Sequence, residues 1–446
     1  MNLDPALFSI LQCPKTGEEL AFRENQLVST LSNEHYPLMN GIPWLHPNPL
    51  HSMVDWSVKL NHFHKVLGQE ISDLEKQLQN VQGATKERLR RLYEGKKQFL
   101  IQVTELISPV VTAKVASKPI YDALSDRAPN TQNLLSYEAN LYRDWVWGNE
   151  ENEISCRFIT EILEDNAIGN MLVVGAGACR LAYDLHLALN PTMTIANDIN
   201  PLLLFSAQDI LFGDGLEIVE FPMQPRLAEH VAVHHAIPSV ATPNNFHLLF
   251  SDAAKPALKV KSIQTLVTPW VIDIQPFELG LFLRSLNHYL DIGSTWVNFG
   301  SLVFSQGRDT LCYSHEEVES IATECGFSIE RIEQKEMPYL KSPYNAGWRV
   351  EHIWCWRARK ISNVEPVNNL QHLPNWIIDA NAAVPLSNEI KSAHFSHKTY
   401  SEILSLNDGK HSLTQMGKKL ARKKNMDEQE TIAMLKTFYM KVLHLK

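Results

Sequence analysis

The chain is poor in the residues that mark the simplest functional classes. Cysteine is scarce, with six in 446 residues: Cys13, Cys156, Cys179, Cys312, Cys325 and Cys355. No two form a Cys-x-x-Cys pair, which excludes a zinc ribbon and gives no sign of a disulfide framework. An excess of positive charge is also missing. Lys and Arg number 41 against 50 Asp and Glu, a net charge of −9. That argues against a protein that coats nucleic acid through phosphate contacts. No run of about 18 apolar residues exists to span a bilayer as a helix. The opening segment carries Asp4 and lacks both a basic stretch and a long apolar core, so it does not read as a signal peptide. These absences describe a cytoplasmic chain in a reducing compartment, with free thiols, no metal site and no membrane. The hydrophobic share of 44% and charged share of 20% are ordinary for globular proteins and exclude disorder throughout. The length suggests about two to four domains.

Changes of pattern divide the chain. In residues 1–50 a helix over 5–11 leads to Cys13-Pro14, a turn at Thr16-Gly17, and strand-like pieces ending at Gly41-Ile42-Pro43-Trp44. They are expected to form a small module of their own. Residues 51–150 are helical: Leu74, Leu78 and Val81, then Leu89, Leu92, Phe99, Val103 and Leu106, recur at helical spacing. Gly83 and Thr85 mark a break, giving a helical hairpin that leads into a catalytic domain.

Residues 151–360 alternate. Helices are expected over 154–164, 180–189 and 314–325. Strands are expected over 171–174, 194–197, 248–250, 266–272, 296–302, 327–334 and 350–357. This rhythm predicts an α/β domain with a largely parallel sheet and helices on both faces. Residues 361–386, rich in Asn and Pro, read as a linker. Residues 387–446 read as a small helical domain with a basic edge at Lys418, Lys419, Arg422, Lys423 and Lys424.

The strongest local signal is Val173-Val174-Gly175-Ala176-Gly177-Ala178-Cys179-Arg180-Leu181. An apolar strand enters a Gly-x-Gly turn and then a helix, and glycine lets backbone approach a ligand closely. Asp198 ends the next strand, about 20 residues on, where a carboxylate accepts bonds from ribose hydroxyls. Asp252, in Phe250-Ser251-Asp252-Ala253, follows a later strand and is placed to bond an adenine amino group; it also suits a helix N-cap. Asp273 stands at the end of 266–272, where strand ends face a ligand crevice, and it too suits a cap. A nicotinamide dinucleotide site shares the glycine turn. The helix feeding a terminal strand pair favours S-adenosylmethionine (SAM), since it resembles the seven-stranded class I methyltransferase arrangement.

Residues 90–360 resemble the carnosine N-methyltransferase family, whose members methylate an imidazole nitrogen of histidine. The matching pieces are Arg143-Asp144-Trp145, Gly175-Ala176-Gly177 with Arg180-Leu181-Ala182, Asn197-Asp198, Ile272-Asp273 and Asn298-Phe299-Gly300-Ser301-Leu302. The resemblance implies that Asn140 and Arg143 contact the methionine part of SAM. Gly175, Ala176 and Gly177 approach it through backbone. Asp198 holds the ribose, Asp252 and Ala253 the adenine, and Asp273 faces the imidazole. Tyr339 and Tyr344, with Trp270 and Trp348, could cradle the ring through their faces. Three departures stand out. Cys179 replaces a third glycine, which is tolerable at negative φ. Ser305 stands where the family has a substrate-facing histidine. Trp348-Arg349-Val350 replaces a tyrosine-rich stretch.

Both ends resemble other families. Residues 1–50 resemble zinc-ribbon-like activators of tRNA methyltransferases. Thr16 stands in place of the second cysteine and Asn40 opens the closing turn, which implies a degenerate, metal-free version. The piece Ile403-Leu404-Ser405-Leu406-Asn407-Asp408-Gly409 resembles the PqqD-like fold, which binds leader peptides by strand addition. The sequence thus points to a SAM-dependent N-methyltransferase acting on histidine imidazole in a peptide or a histidine-containing small molecule. The alternatives are methylation of another acceptor such as RNA, or a non-catalytic SAM-binding partner subunit. Intact Asp198 and Asp273 argue against the latter.

Overall fold

The structure is a computed structural model that describes residues 3–111, 133–164, 166–304, 309–365, 375–379, 381–386 and 398–443. It divides into two compact units. The first comprises Met1–Pro49, His62–Pro109 and Leu134–Pro366; the second comprises Leu50–Asn61, Val110–Asn133 and Val367–Lys446.

Helix α1 (Pro5–Ile10) starts on Asp4, whose carboxylate accepts the N–H groups of Ala6 and Leu7. This is the capping expected of an aspartate before a helix-opening proline. Short strands β1 (Leu20–Arg23), β2 (Gln26–Ser29), β3 (His35–Met39) and β4 (Ile42–Leu45) follow. Helices α2 (Pro49–Leu78) and α3 (Gly83–Val111) form the expected helical pair. After α4 (Glu138–Tyr142) comes one π-helical turn, Arg143–Trp147, and then α5 (Asn149–Leu163). The central region runs β5 (Asn170–Val174), α6 (Arg180–Leu189), β6 (Met193–Asp198), α7 (Pro201–Phe212), β7 (Gly215–Glu220), β8 (Val233–Pro238), β9 (Phe246–Ser251) and β10 (Ile263–Pro269). It continues through α8 (Leu279–Tyr289), β11 (Leu290–Gly300), α9 (His315–Glu324), β12 (Phe327–Tyr339) and β13 (Arg349–Lys360).

One eleven-stranded sheet has the order β1-β2-β3-β4-β9-β6-β5-β10-β11-β13-β12. Strands β9, β6, β5, β10 and β11 are parallel neighbours. Strand β13 runs antiparallel between β11 and β12. The last seven strands in that order are the class I arrangement, with five parallel strands and a terminal antiparallel pair. Val173, Ile195, Leu248 and Val267 are buried, as a sheet covered on both faces requires.

Two expectations about the sheet need correction. Residues 1–50 do not stand apart. Strand β4 pairs in parallel with β9, Trp44 opposite Phe250 and Leu45 opposite Ser251. The Trp44 indole stacks on Phe250 with ring centroids 3.4 Å apart. Leu7, Leu11 and Tyr36 share a core with Leu172 and Leu249. The segment covers what would otherwise be an open sheet edge. Cys13 is buried there with its thiol 2.9 Å from the Tyr36 hydroxyl. Second, the strand expected over 266–272 ends at Pro269. Trp270 takes φ +53°, and Asp273 lies on the short 3-10 turn that follows, Ile272–Ile274. Strands β7 and β8, which the sequence pattern does not reveal, pair with each other in a separate two-stranded sheet.

The second unit contains α10 (Asn375–Ile378), α11 (Lys398–Leu404), α12 (Leu413–Lys424) and α13 (Glu428–Val442). Its core joins Val54 to Ile377, Val384, Ile403, Leu413, Met416, Leu420, Leu435 and Phe438. The expected linker over 361–386 therefore includes core residues. Asp408 accepts the N–H groups of Lys410 and His411, and Gly409 has φ +75°. The Asp-Gly pair is a turn leading to the Ser412–Gln415 capping box of α12. Residues 387–397 of this region lie outside the described residues. Among the described residues no helix is long and apolar enough to cross a membrane.

Candidate active site

The glycine turn, Asp198, Asp252 and Asp273 all follow the carboxyl ends of parallel strands. In a doubly wound sheet that end bears the ligand crevice. The N–H groups of Gly175 and Ala176 both donate to the Asn197 carbonyl at 2.9 Å, which fixes the turn after β5 to the end of β6. Gly175 has φ +73°, and a Cβ there would come 2.9 Å from the Val271 Cγ2. Gly177 has φ +57°, and a Cβ there would meet nothing nearer than 4.0 Å. The first glycine serves close packing; the second leaves an open approach to backbone.

Asp198 is buried at the end of β6. Its Oδ2 accepts the Gly177 N–H at 2.7 Å and its Oδ1 the Asn200 N–H at 2.8 Å. Burial pushes its carboxyl up to about 6, against the N–H bonds from Asn200, Gly177 and Ile199. Two carboxylate oxygens offer about four lone-pair sites, so with three N–H bonds taken about one remains for a ligand hydroxyl. Cys179, the N-cap of α6, has φ +66°. The condition under which this replacement of glycine is tolerable, a negative φ, is not met. The side chain occupies the left-handed region that a glycine would fill without strain, and its thiol is buried.

Arg143 begins the π turn. Its Nε donates to Asp144 Oδ1 at 2.8 Å, and its guanidinium carbon lies 5.9 Å from the Tyr339 ring centroid. Such turns are rare and frequent at functional sites. Two bonds tie this turn to the glycine turn. Trp145 Nε1 donates to the Ala178 carbonyl at 2.8 Å, and Arg180 Nη1 to the Asp144 carbonyl at 2.9 Å. Half-buried Asn140 lies three residues before Arg143, a spacing that puts both on one helix face.

Asp252 Oδ1 accepts the Ala254 N–H at 2.9 Å, which closes a turn; no helix begins there, so the expected N-cap is not realised. The Ala253 carbonyl accepts the Tyr289 hydroxyl at 3.1 Å. Asp273 is buried, and its Oδ2 accepts the Val303 N–H at 2.9 Å. Burial pushes its carboxyl up against that bond. The Tyr339 ring lies 4.8 Å from that of Trp270 and 4.4 Å from the Arg349 guanidinium carbon. Tyr344 is placed differently. Its ring contacts are to His230 at 5.0 Å and His235 at 5.8 Å. Trp348 is exposed, with Lys341 Nζ 5.5 Å from its ring. Ser305 lies outside the described residues.

Sequence reasoning missed Tyr137. It precedes α4 with φ +64°. The residue is 40% exposed, and partial burial together with the carboxylates of Asp273 and Asp198 pushes its phenol up. The only available signal was its place three residues before Asn140.

A buried carboxylate able to accept from a ribose hydroxyl, an open approach over Gly177 and a guanidinium on the adjoining turn fit the ribose and amino-acid parts of SAM. Among curated proteins none matches the chain. It aligns with the solved structure of the N-methyltransferase NodS from Bradyrhizobium japonicum in complex with S-adenosyl-L-homocysteine. Identity is 15%, coverage 51% of this chain and 98% of that one, and TM-score 0.34. It aligns with a chain of the complex between the Haloferax volcanii Trm112 methyltransferase activator and a methyltransferase at 9% identity. That match covers 51% of this chain and 97% of that one, with TM-score 0.36. A SAM-dependent methyltransferase from Clostridium acetobutylicum aligns at 12% identity over 52% of this chain and all of that one, with TM-score 0.34. The profile of the carnosine N-methyltransferase family matches residues 126–360. That is more than half of the chain, spanning every site residue described above, and the chain therefore belongs to the carnosine N-methyltransferase family of SAM-dependent enzymes.

Proposed function

We propose that this enzyme methylates a histidine imidazole nitrogen in a peptide or a histidine-containing small molecule. The observation that carries the reading is Asp273, a buried carboxylate just beyond a central strand, whose Oδ2 accepts the Val303 N–H at 2.9 Å. Bound SAM supplies an electrophilic methyl on its sulfonium. The protein supplies geometry. Asp198 accepts from a ribose hydroxyl, Asp252 and Ala253 meet the adenine, and Asn140 and Arg143 meet the methionine part, beside the backbone of Gly175, Ala176 and Gly177.

A neutral imidazole nitrogen needs little acid–base help to attack a methyl group. It needs in-line placement and a fixed tautomer. Asp273 accepting the far N–H sets the tautomer and stabilises the positive charge that grows on the ring. Tyr339 and Trp270 offer aromatic faces to that charge, and Tyr344 borders the acceptor from its loop. The amino-terminal segment acts as a metal-free packing element, and the second unit serves to hold a peptide. Incubating the enzyme with SAM and either a histidine dipeptide or a histidine-bearing peptide should yield a ring-methylated imidazole by mass spectrometry and NMR. Methyl transfer to RNA with none to any histidine acceptor would refute the reading.

A further inference from the structure

Glu220 ends β7 where three elements meet, and its side chain is buried. His235, on β8, donates its Nε2–H to Glu220 Oε2 at 2.7 Å. Trp147, which closes the π turn, directs its Nε1–H to both oxygens at 3.3 and 3.4 Å. Ser342, in the loop after β12, donates its hydroxyl to Oε1 at 3.5 Å. The same Ser342 oxygen accepts the Tyr344 N–H at 3.2 Å, and the rings of His230 and His235 face Tyr344. From the other side, Glu151 on α5 takes the Leu340 N–H at 3.0 Å and the Lys341 N–H at 2.7 Å. A buried carboxylate is costly to desolvate, and packing alone would be served as well by an apolar side chain. Fully satisfied by donors from separate elements, it fixes their relative placement.

We propose that Glu220 is a positioning residue for methyl transfer. It holds the loop that carries Tyr344 in register with the turn that carries Arg143. This rests on the reading above, in which Arg143 faces SAM and Tyr344 borders the acceptor. The turn keeps other anchors, through Trp145 and Arg180 to the glycine turn. The loop is held over 340–342 by the two carboxylates, and farther along Asn345 Oδ1 accepts the Met223 N–H at 2.6 Å. Disturbing Glu220 should therefore displace the acceptor side and spare the donor side.

Glu220→Gln keeps the size but sets an amide N–H₂ against donors, leaving His235 or Trp147 without a partner. In the full chain it should lower kcat/KM for the histidine acceptor by about 10–100-fold, the effect of a displacement near 1 Å. The loss should fall chiefly on the acceptor KM, with SAM affinity unchanged. Backbone amides of 340–346 should exchange faster with solvent while those of β5, β6 and β10 stay protected. A purely structural role predicts less folded enzyme with an unaltered KM, because KM does not depend on the folded fraction. Folded Glu220→Gln with wild-type KM and wild-type exchange overturns the proposal. Ser342→Ala, which leaves the His235 and Trp147 bonds intact, should raise KM in the same direction by less. It decides the matter if Glu220→Gln does not fold. If wild-type enzyme methylates no histidine acceptor, the acceptor assignment fails, and exchange at 340–346 alone decides the role of Glu220.

Discussion

Asp198 is asked to be both buried and ionised. Its carboxyl stands at about 6, raised by burial above its usual 3.8. The sign of its linkage follows. This residue favours the folded state below its unfolded pKa, and that contribution is lost as pH rises through about 6, so it is no source of acid lability. Ligand binding has the opposite slope, because a ribose hydroxyl donates to the ionised form. SAM affinity measured by calorimetry should be flat above pH 7 and weaken by up to about tenfold per pH unit below 6. Asp198→Ala should weaken binding by about 1–3 kcal/mol and abolish this slope; an unchanged slope removes Asp198 from the ribose. Cys179 poses a different conflict. Its left-handed φ costs about 1–2 kcal/mol for a residue with a Cβ, and its buried thiol recovers a similar amount through packing. Cys179→Gly should therefore stay within about 1 kcal/mol of wild type in urea unfolding. Cys179→Ala keeps the strain and loses the sulfur, so it should be the less stable of the two. The reverse order would show that the left-handed φ costs less here than the flexibility glycine adds to the unfolded chain. At Asp273, Asn presents an amide donor to the ring and removes the charge opposite the growing imidazolium. Asp273→Asn should cost about 10²–10³ in kcat with SAM affinity retained; loss of SAM binding instead would move Asp273 to the cofactor side.

Elements whose pattern has one clear period were legible in the sequence. Helix α6 is found over Arg180–Leu189, the range its spacing implies, and β6 ends on Asp198, where the ribose acid was expected. The misreadings have physical causes. Helix α7 is buried all round, with Leu202, Leu203, Leu204 and Phe205 all covered, so it lacks the polar face that betrays a surface helix. The apolar run past Pro269 continues in sequence, but the positive φ of Trp270 turns the backbone and cannot be seen in residue types. The role of residues 1–50 was hidden because strand pairing across some 200 residues leaves no local signal; Trp44 and Phe250 look like two unrelated aromatics. That pairing is testable. Trp44 is 1% exposed, and truncating a buried tryptophan costs about 3–5 kcal/mol. Trp44→Ala should lower the urea midpoint accordingly and uncover the β9 edge. Light scattering should then report self-association, as exposed edges invite. A cost below about 1 kcal/mol would mean that β4 adds little to the sheet.

At the scale of the whole molecule, the first unit contains every residue assigned to chemistry, and the second is proposed to hold a peptide. The second unit's own packing limits how this division can be tested. Val54, near the start of α2, is buried against Ile403, Leu413, Met416 and Phe438. Deleting 387–446 would strip that cover, so a truncated chain would fail for reasons unrelated to substrate. Charge reversal is cleaner. On α12, Lys423 and Lys424 already pair with Glu402, and Lys419 lies 3.0 Å from a ring nitrogen of His411. Arg422 is exposed and adds to this basic edge. If this unit holds a peptide through that edge, Lys419→Glu with Arg422→Glu should raise KM for a long acidic peptide by about tenfold, since two surface charges contribute about 0.5–1 kcal/mol each. The increase should shrink in high salt, which screens exposed charges. Turnover of a short histidine acceptor should be unchanged. Equal loss for both acceptors, in a protein with wild-type unfolding behaviour, would place the second unit in the chemistry. Wild-type KM for both would mean that the acceptor is recognised wholly by the first unit.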